Sequence, residues 1–184
     1  MGSPTTSSRI LNAAIDLFST NAYSEISVDE IAQKAGLTKM TLYQHYKSKD
    51  RLLLACLKAR LERREMKLDL FLEGLSPKAD PLLAIFDWLE GWLNPTNFKG
   101  CAFVKAFNEL SVIVPEVRGI ALEAKEKIQK RLTSLAKKTN RSNPSALGEE
   151  LALLFEGAQS LALVQGSARP AKVARRIASA ILNG

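Results

Sequence analysis

The apolar residues of this chain recur with helical spacing along most of its length. Near the N-terminus, the i, i+3, i+4, i+7, i+8 spacing of a buried helix stripe is formed by Ile10, Ala13, Ala14, Leu17 and Phe18. This stripe predicts a first helix over about residues 8–19, after a polar arm at residues 1–8. No segment alternates apolar and polar residues between turn signals, as a strand would. The pattern predicts an all-α fold of roughly nine helices.

Capping residues and prolines divide the rest of the chain into helices. Ser48 is expected to cap an unusually long helix that ends at residues 74–77. A break is predicted at residues 94–97. Further helices are predicted to start at Asp80–Pro81, Gly100–Cys101, Pro115–Glu116, Asn143–Pro144 and Arg169–Pro170.

The stretch over residues 27–46 predicts two short helices joined at a glycine. Ser27 and Glu30 have the spacing of a capping box, in which each side chain bonds the other residue's backbone amide. Gly36 stands where the turn between the helices requires a positive φ, and Thr38 is the expected N-cap of the second helix. Two capped helices around a glycine are typical of a helix-turn-helix, whose second helix enters the DNA major groove. Its predicted core consists of Ile10, Leu17, Phe18, Ile26, Ile31, Leu37 and Leu42.

The net charge of +7 matters through its distribution. Residues 1–50 carry five basic and five acidic residues, which cancel, whereas residues 31–49 carry four lysines and no acid. A basic face confined to the predicted helix-turn-helix indicates a nucleic-acid partner better than a high total charge does.

The sequence does not favour an enzyme. His45 is the one histidine and lies inside the predicted helix-turn-helix, so a catalytic triad elsewhere has no base. Clusters of metal ligands and phosphate-binding glycine loops are missing, so we expect no metal and no cofactor. Cys56 and Cys101 are expected to be reduced core thiols. With no signal peptide and no apolar run of about 20 residues, the chain is expected to be cytoplasmic, with no membrane partner.

Two lysines occupy positions where the helix dipole disfavours a cation. Lys39 falls in the first turn of the second helix of the motif, and Lys49 in the first turn of the next helix. Solvent screening would explain either lysine alone, but a DNA phosphate at each helix start would explain both, and we favour the phosphates. Gln44 can pair with adenine, and the Met40 methyl group can meet the thymine methyl. Tyr46 is expected to pack in the core.

The motif and its continuation resemble the signature of the TetR family of bacterial transcriptional regulators. That signature reads Leu-Tyr-x-His-aromatic, then x-x-Lys, an acidic residue and leucines, and it is matched by Leu42, Tyr43, His45, Tyr46, Lys49 and Asp50. The resemblance is strong over about residues 9–57. It implies contacts to the DNA backbone by Thr38, Thr41, Tyr43, His45 and Lys49, and places near the bases for Lys39, Met40 and Gln44, with Ser27 grouped among the DNA-binding residues. Met40 departs from the small residue or proline often found there, which bears on operator preference rather than on DNA binding.

The last two predicted helices carry wide apolar stripes. The stripe residues are Leu147, Leu151, Leu154, Ala158, Leu161 and Ala162, followed by Val173, Ile177 and Ile181. Part of each stripe is expected to face the core of its own chain, and the remainder to form a four-helix seam with a second copy. Gly157 permits close backbone approach in mid-helix. A looser resemblance of the C-terminal part to one TetR subgroup implies the same homodimer.

Large aromatic side chains concentrate before the second stripe, with polar groups near them in the sequence. Aromatic residues at helical spacing are more often core than ligand cage, yet the set fits an apolar pocket with a few polar groups. We expect a small, largely apolar or aromatic effector held by Phe86, Trp88, Trp92, Phe103, Phe107, Asn108, Phe155 and Gln159.

These interpretations divide the chain into a DNA-binding domain at residues 9–50 and a regulatory domain at residues 51–184. The predicted function is a repressor that binds a palindromic double-stranded DNA operator as a homodimer and is released by its effector. Tilting of the fourth helix is expected to change the separation of the two recognition helices, which must be roughly 34–36 Å or a multiple of it. The alternative is an all-α ligand-binding or interaction module that does not bind DNA.

Overall fold

Nine α-helices and one short 3₁₀ helix form the described part of this computed structural model, which covers residues 5–94 and 98–183. No strand occurs in those ranges, so the predicted all-α fold is confirmed. None of the helices found there is long and apolar enough to cross a membrane. The α-helices are α1 (Thr6–Thr20), α2 (Val28–Ala35), α3 (Lys39–His45), α4 (Lys49–Glu73), α5 (Pro81–Trp92), α6 (Ala102–Leu110), α7 (Glu116–Lys138), α8 (Pro144–Gln165) and α9 (Arg169–Asn183), and the 3₁₀ helix is Tyr23–Glu25.

Side-chain caps explain why α4 and α5 begin where the sequence predicts. Asp80 Oδ1 accepts a hydrogen bond from the backbone N–H of Leu82 at 2.9 Å, at the start of α5. Ser48 Oγ accepts one from the N–H of Arg51 at 3.1 Å, at the start of α4. Each bond satisfies a backbone donor that has no partner inside its helix.

The start of α1 differs from the prediction. Thr5 Oγ1 accepts a hydrogen bond from the backbone N–H of Ser8 at 3.2 Å, so the helix begins at Thr6. Residues 6–8, predicted as part of a polar arm, are therefore helical. Residues 1–4 of that arm, and residues 95–97 of the predicted break, lie outside the described residues.

The first of two compact units contains the residues up to Arg63 together with Ala102–Ala121. Its core is the predicted one: four of the seven expected side chains are buried and three are partly buried against them. Tyr46 also packs against this core, as predicted. From α4, Leu52 and Cys56 complete the buried set.

The second unit contains Arg64–Cys101 and the residues from Leu122 onward. Its core packs α5 against α9 and α8 against α9, with Phe86 and Phe155 among the largest fully buried side chains. Within this unit α8 approaches α7 closely at Gly148, where an added Cβ would lie 2.0 Å from Thr133 Oγ1 and 2.9 Å from its backbone nitrogen. Only glycine fits at that crossing.

Candidate nucleic-acid interface

The α2–turn–α3 segment has helix-turn-helix geometry that its caps impose. Ser27 Oγ accepts from the Glu30 backbone N–H at 3.1 Å, and Glu30 Oε2 accepts from the Ser27 N–H at 2.6 Å. Gly36 ends α2 in the left-handed region at φ +65°, and Thr38 Oγ1 accepts from the Thr41 N–H at 3.2 Å. These contacts confirm the two capped helices that were predicted around a glycine.

Arg9, a cation of α1, supports this turn. This contact was not predicted from the sequence. Arg9 Nη2 donates to the carbonyl oxygens of Ala35 at 2.8 Å and Gly36 at 3.2 Å. A positive charge at the C-terminal end of α2 is stabilised by the helix dipole. Because the partners are backbone atoms more than 25 positions away, no residue pattern indicates the contact.

The predicted DNA-binding residues of α3 and its N-cap are exposed, apart from Thr41. Leu42 is fully buried in the core, so the opposite side of the helix faces outward. On that side Met40 is 72% exposed and Tyr43 is 41% exposed. Thr38, Lys39, Gln44 and His45 are also exposed, Thr41 is half-buried, and Ser27 is exposed at the start of α2. This surface offers hydroxyl, amide, imidazole and thioether groups beside a cation.

Each lysine that was predicted to meet a phosphate has a partner within the protein. Lys39 Nζ lies 2.9 Å from Asp29 Oδ2, with both side chains more than half exposed. Lys49 Nζ donates to the backbone oxygen of Tyr23 and lies 3.9 Å from the centroid of its ring, and burial lowers the pKa of Lys49. The helix dipole therefore does not by itself require bound anions at these positions. DNA contact by either lysine stays a prediction.

Comparison with known proteins identifies the helix-turn-helix. The model of bacterial regulatory proteins of the tetR family matches residues 10–56. Over 85 residues the chain is 34% identical to the HTH-type transcriptional regulator EthR of Mycolicibacterium smegmatis. This alignment covers 46% of this chain and 38% of EthR. A TetR-family transcriptional regulator from Streptomyces coelicolor shares the fold with a TM-score of 0.87 at 23% identity, over 97% of this chain and 94% of that chain. The multidrug binding protein EbrR, complexed with malachite green, has a TM-score of 0.75 at 17% identity, over 96% and 97%.

The helix-turn-helix segment, residues 10–56, matches the tetR family of bacterial regulatory proteins, and the fold of the chain is that of a solved TetR-family regulator. The resemblance drawn from the sequence is therefore confirmed for this segment, and the matched family consists of regulators rather than enzymes, as predicted. The matched part spans 26%, 38% and 23% of the length of the first three curated relatives.

The predicted dimer residues divide between two sides of α8 and α9. Leu147, Leu151, Ala158 and Ala162 are buried in the core of their own unit, as expected for part of the stripe. The others are exposed or partly exposed, namely Leu154, Leu161, Val173, Ile177 and Ile181. All of these but Ile181 line an apolar groove of about 430 Å³, which Gly157 also lines. The groove runs along both helices.

The predicted effector residues divide between the two units. Phe103, Phe107 and Asn108 belong to α6 in the first unit, while the other five belong to the second. Within the second unit, Trp88 stacks on Phe155 with ring centroids 6.5 Å apart. The other predicted effector residues of the second unit are Phe86, Trp92 and Gln159. Phe86 is fully buried, and Gln159 Nε2 is buried without a hydrogen-bond partner among the described residues. A shared pocket stays a prediction.

The described residues contain no group of three or more His, Cys, Asp and Glu side chains able to hold a metal ion. The two candidate sites are exposed surfaces, formed by α3 in the first unit and by the α8–α9 groove in the second.

Proposed function

We propose that this chain is a cytoplasmic repressor that binds a palindromic DNA operator as a homodimer and is released by a small effector. The exposed face of α3 carries this proposal. Its helix is fixed from below by Leu42 and at its start by Thr38, so its outward side chains are held in a defined register. Side chains held in register on a helix can read base edges in the major groove. We assign DNA binding to residues 9–50 and regulation to residues 51–184.

The α8–α9 groove supports the homodimer. Its exposed side chains include Ile177 at 40% and Leu161 at 53%, and Gly157 has open space where a Cβ would stand. Exposed apolar surface of this extent marks an interaction site, and a two-fold dimer pairs one patch with its own copy. Two copies would place two recognition helices on the two halves of a palindrome.

A small, largely apolar effector is supported by the aromatic side chains of the second unit and by a relative. EbrR, which shares this fold, was solved with malachite green. Trp88, Trp92 and Phe155 form a connected aromatic group, with ring centroids 4.6 Å apart between the two tryptophans. Malachite green is accordingly a suitable first probe for the effector site.

The fourth helix is the proposed connection between effector and DNA. It runs without a break over Lys49–Glu73, a length of roughly 37 Å at the usual rise per residue. A tilt at its end would shift the recognition helix at its start. Coupling of this kind is reciprocal, typically 1–3 kcal/mol, so operator DNA should weaken effector binding by the factor by which effector weakens DNA binding. No change in effector affinity on adding operator would contradict it.

DNA binding itself is tested by selecting bound sites from random duplex DNA and then titrating salt. A repressor should lose affinity steeply as salt rises, because phosphate contacts release counterions. Lys39→Met should reduce the salt slope by about one if Lys39 meets a phosphate, and Lys49→Met should do the same. Lys58→Met is the matched control, since Lys58 is an exposed lysine of α4 outside the proposed surface.

The pair between Lys39 and Asp29 gives a second, opposite test. An exposed ion pair is worth little, so Lys39 can exchange Asp29 for a phosphate at small cost. Asp29→Asn should then strengthen DNA binding by removing the competing carboxylate. If Asp29→Asn weakens binding, the lysine is needed where it now lies and does not contact the phosphate.

The second candidate is an all-α ligand-binding or interaction module without DNA binding. The aromatic groups and the apolar groove would serve it equally well. It predicts that no duplex is enriched from the random pool, and that weak residual binding does not respond to Lys39→Met.

A further inference from the structure

Helix α6 reaches back to the connection between α1 and α2 with two oppositely charged side chains. Lys105 Nζ donates to the backbone oxygens of Phe18 at 3.3 Å and Asn21 at 2.8 Å. One turn later, Glu109 Oε2 accepts a hydrogen bond from the backbone N–H of Tyr23 at 2.9 Å. The lysine lies at the C-terminal end of α1 and the glutamate at the N-terminal end of the 3₁₀ helix, so both charges match the dipoles they meet.

Tyr23 passes this contact on to the start of α4. Its backbone oxygen accepts the hydrogen bond from Lys49, its ring lies under the same ammonium group, and its hydroxyl donates to Asp50. Lys49 and Asp50 form the first turn of α4. One residue therefore connects α6 with a lysine of the proposed DNA-binding surface.

Apolar packing between α6 and α1 is incomplete. A cavity of about 30 Å³, the room of about one water molecule, is lined by Ala102 and Ala106 of α6 and by Ile15 and Phe18 of α1. Side chains facing a void lose contacts on that side. The polar bonds of Lys105 and Glu109 therefore add to the packing of the buried α6 side chains and are its described hydrogen bonds to the connection.

We propose that Lys105 and Glu109 are positioning residues for the DNA-binding surface, which they hold by clamping the α1–α2 connection and, through Tyr23, Lys49. This inference rests on the proposed DNA binding and deepens it: the geometry of the recognition surface depends on a helix that follows it by about 60 residues in the chain. A shift of α6 would then change DNA affinity without any movement of α3 relative to α2.

Because Lys105 and Glu109 carry opposite charges, the direction of the change in DNA affinity on replacing each one tests the clamp. If only net charge mattered, Glu109→Ala would strengthen binding to the selected duplex and Lys105→Met would weaken it. The clamp predicts that both weaken it, Glu109→Ala by about fivefold, less than a buried charged hydrogen bond because Glu109 is exposed. Glu62→Ala and Lys58→Met, exposed residues of α4 in the same unit, report the effect of charge alone.

Glu109→Gln separates positioning from general destabilisation. Its amide oxygen can still accept the Tyr23 N–H, so DNA affinity should return at least to that of the unmodified chain. In the full-length protein, amide hydrogen exchange at Tyr23 should be faster in Glu109→Ala and unchanged in Glu109→Gln, measured where all variants are fully folded.

The two readouts distinguish failure of the clamp from failure of DNA binding. The clamp is overturned if Glu109→Ala binds the duplex as tightly as Glu62→Ala, or if exchange at Tyr23 is the same in Glu109→Ala and the unmodified chain. If the unmodified chain binds no duplex, the DNA-binding role fails, and the exchange measurement still decides whether Glu109 holds the connection.

Discussion

The crossing of α7 and α8 at Gly148 yields a stability prediction whose size follows from three distances. An alanine Cβ there would lie 2.0 Å from Thr133 Oγ1, 2.9 Å from its nitrogen and 3.0 Å from its Cα. The hydroxyl can rotate away, but the backbone atoms cannot, so the two helices must separate. Overpacking of this kind costs about 1–3 kcal/mol. The better helix propensity of alanine returns about 0.5–1 kcal/mol, which leaves a loss of about 1 kcal/mol at the middle of both ranges.

Thermal and denaturant unfolding of Gly148→Ala measure this loss. For a chain of this size each kcal/mol lowers the melting temperature by about 2–4 °C, so a decrease of about 2–4 °C is expected. Gly119→Ala is the matched control: it lies in α7, has nothing within 4 Å of an added Cβ, and should melt slightly higher. Thr133→Ala combined with Gly148→Ala should recover part of the loss, since only the hydroxyl contact is removed. Equal melting of Gly148→Ala and the unmodified chain would refute the reasoning.

Three further outcomes are expected. Ile177→Glu should turn the proposed homodimer into a monomer in sedimentation experiments, because it puts a charge in the apolar groove. Leu70→Glu, at an exposed leucine of α4, should not, and equal sedimentation of both variants would argue against the proposed seam. Cys56 should react with iodoacetamide far more slowly than Cys101 at pH 8, because burial raises the pKa of Cys56 to about 12; equal rates in peptide mass spectrometry would contradict this. The hydrogen bonds from Ser27 lower the pKa of Glu30 below its ordinary 4.5, so the stability that Glu30 contributes is present above pH 4.5 and lost as the pH falls through its lower folded-state pKa. Glu30→Gln should therefore lose less stability below pH 4.5 in urea unfolding, and identical pH profiles would count against that role.

Helix boundaries were predictable where the chain carries its own start signals. Three helices are capped through a backbone donor two or three residues after the cap, namely by Asp80, Ser48 and Ser27. The capping residue and the helix start it fixes are therefore adjacent in the sequence. Thr5 acts in the same way, but its side chain stands inside a polar run that reads as an arm. The missed turn of α1 came from that composition rather than from missing information.

Contacts over long sequence separations were not predictable. Lys49 was identified as a cation at a helix start, but its partner is the backbone oxygen of Tyr23, 26 positions earlier. Every residue has a backbone oxygen, so the pattern of residue types does not indicate this contact. The division of the predicted effector residues between the two units was not predictable for a related reason. Helical spacing shows that Phe86 and Phe103 each face something apolar, but it does not show which unit each belongs to.

The first unit is built from two separate stretches of chain, and this bears on how such proteins can exchange parts. The family match ends at residue 56, whereas Lys105 and Glu109, which hold the α1–α2 connection, follow it by about 50 residues. A recombinant that receives only the N-terminal segment of a relative would import a helix-turn-helix without the residues that bond to its α1–α2 connection. Successful exchanges should therefore carry a second, internal segment around residues 102–121. The segments proposed to determine DNA recognition in this chain are therefore two, and they are separate in the sequence.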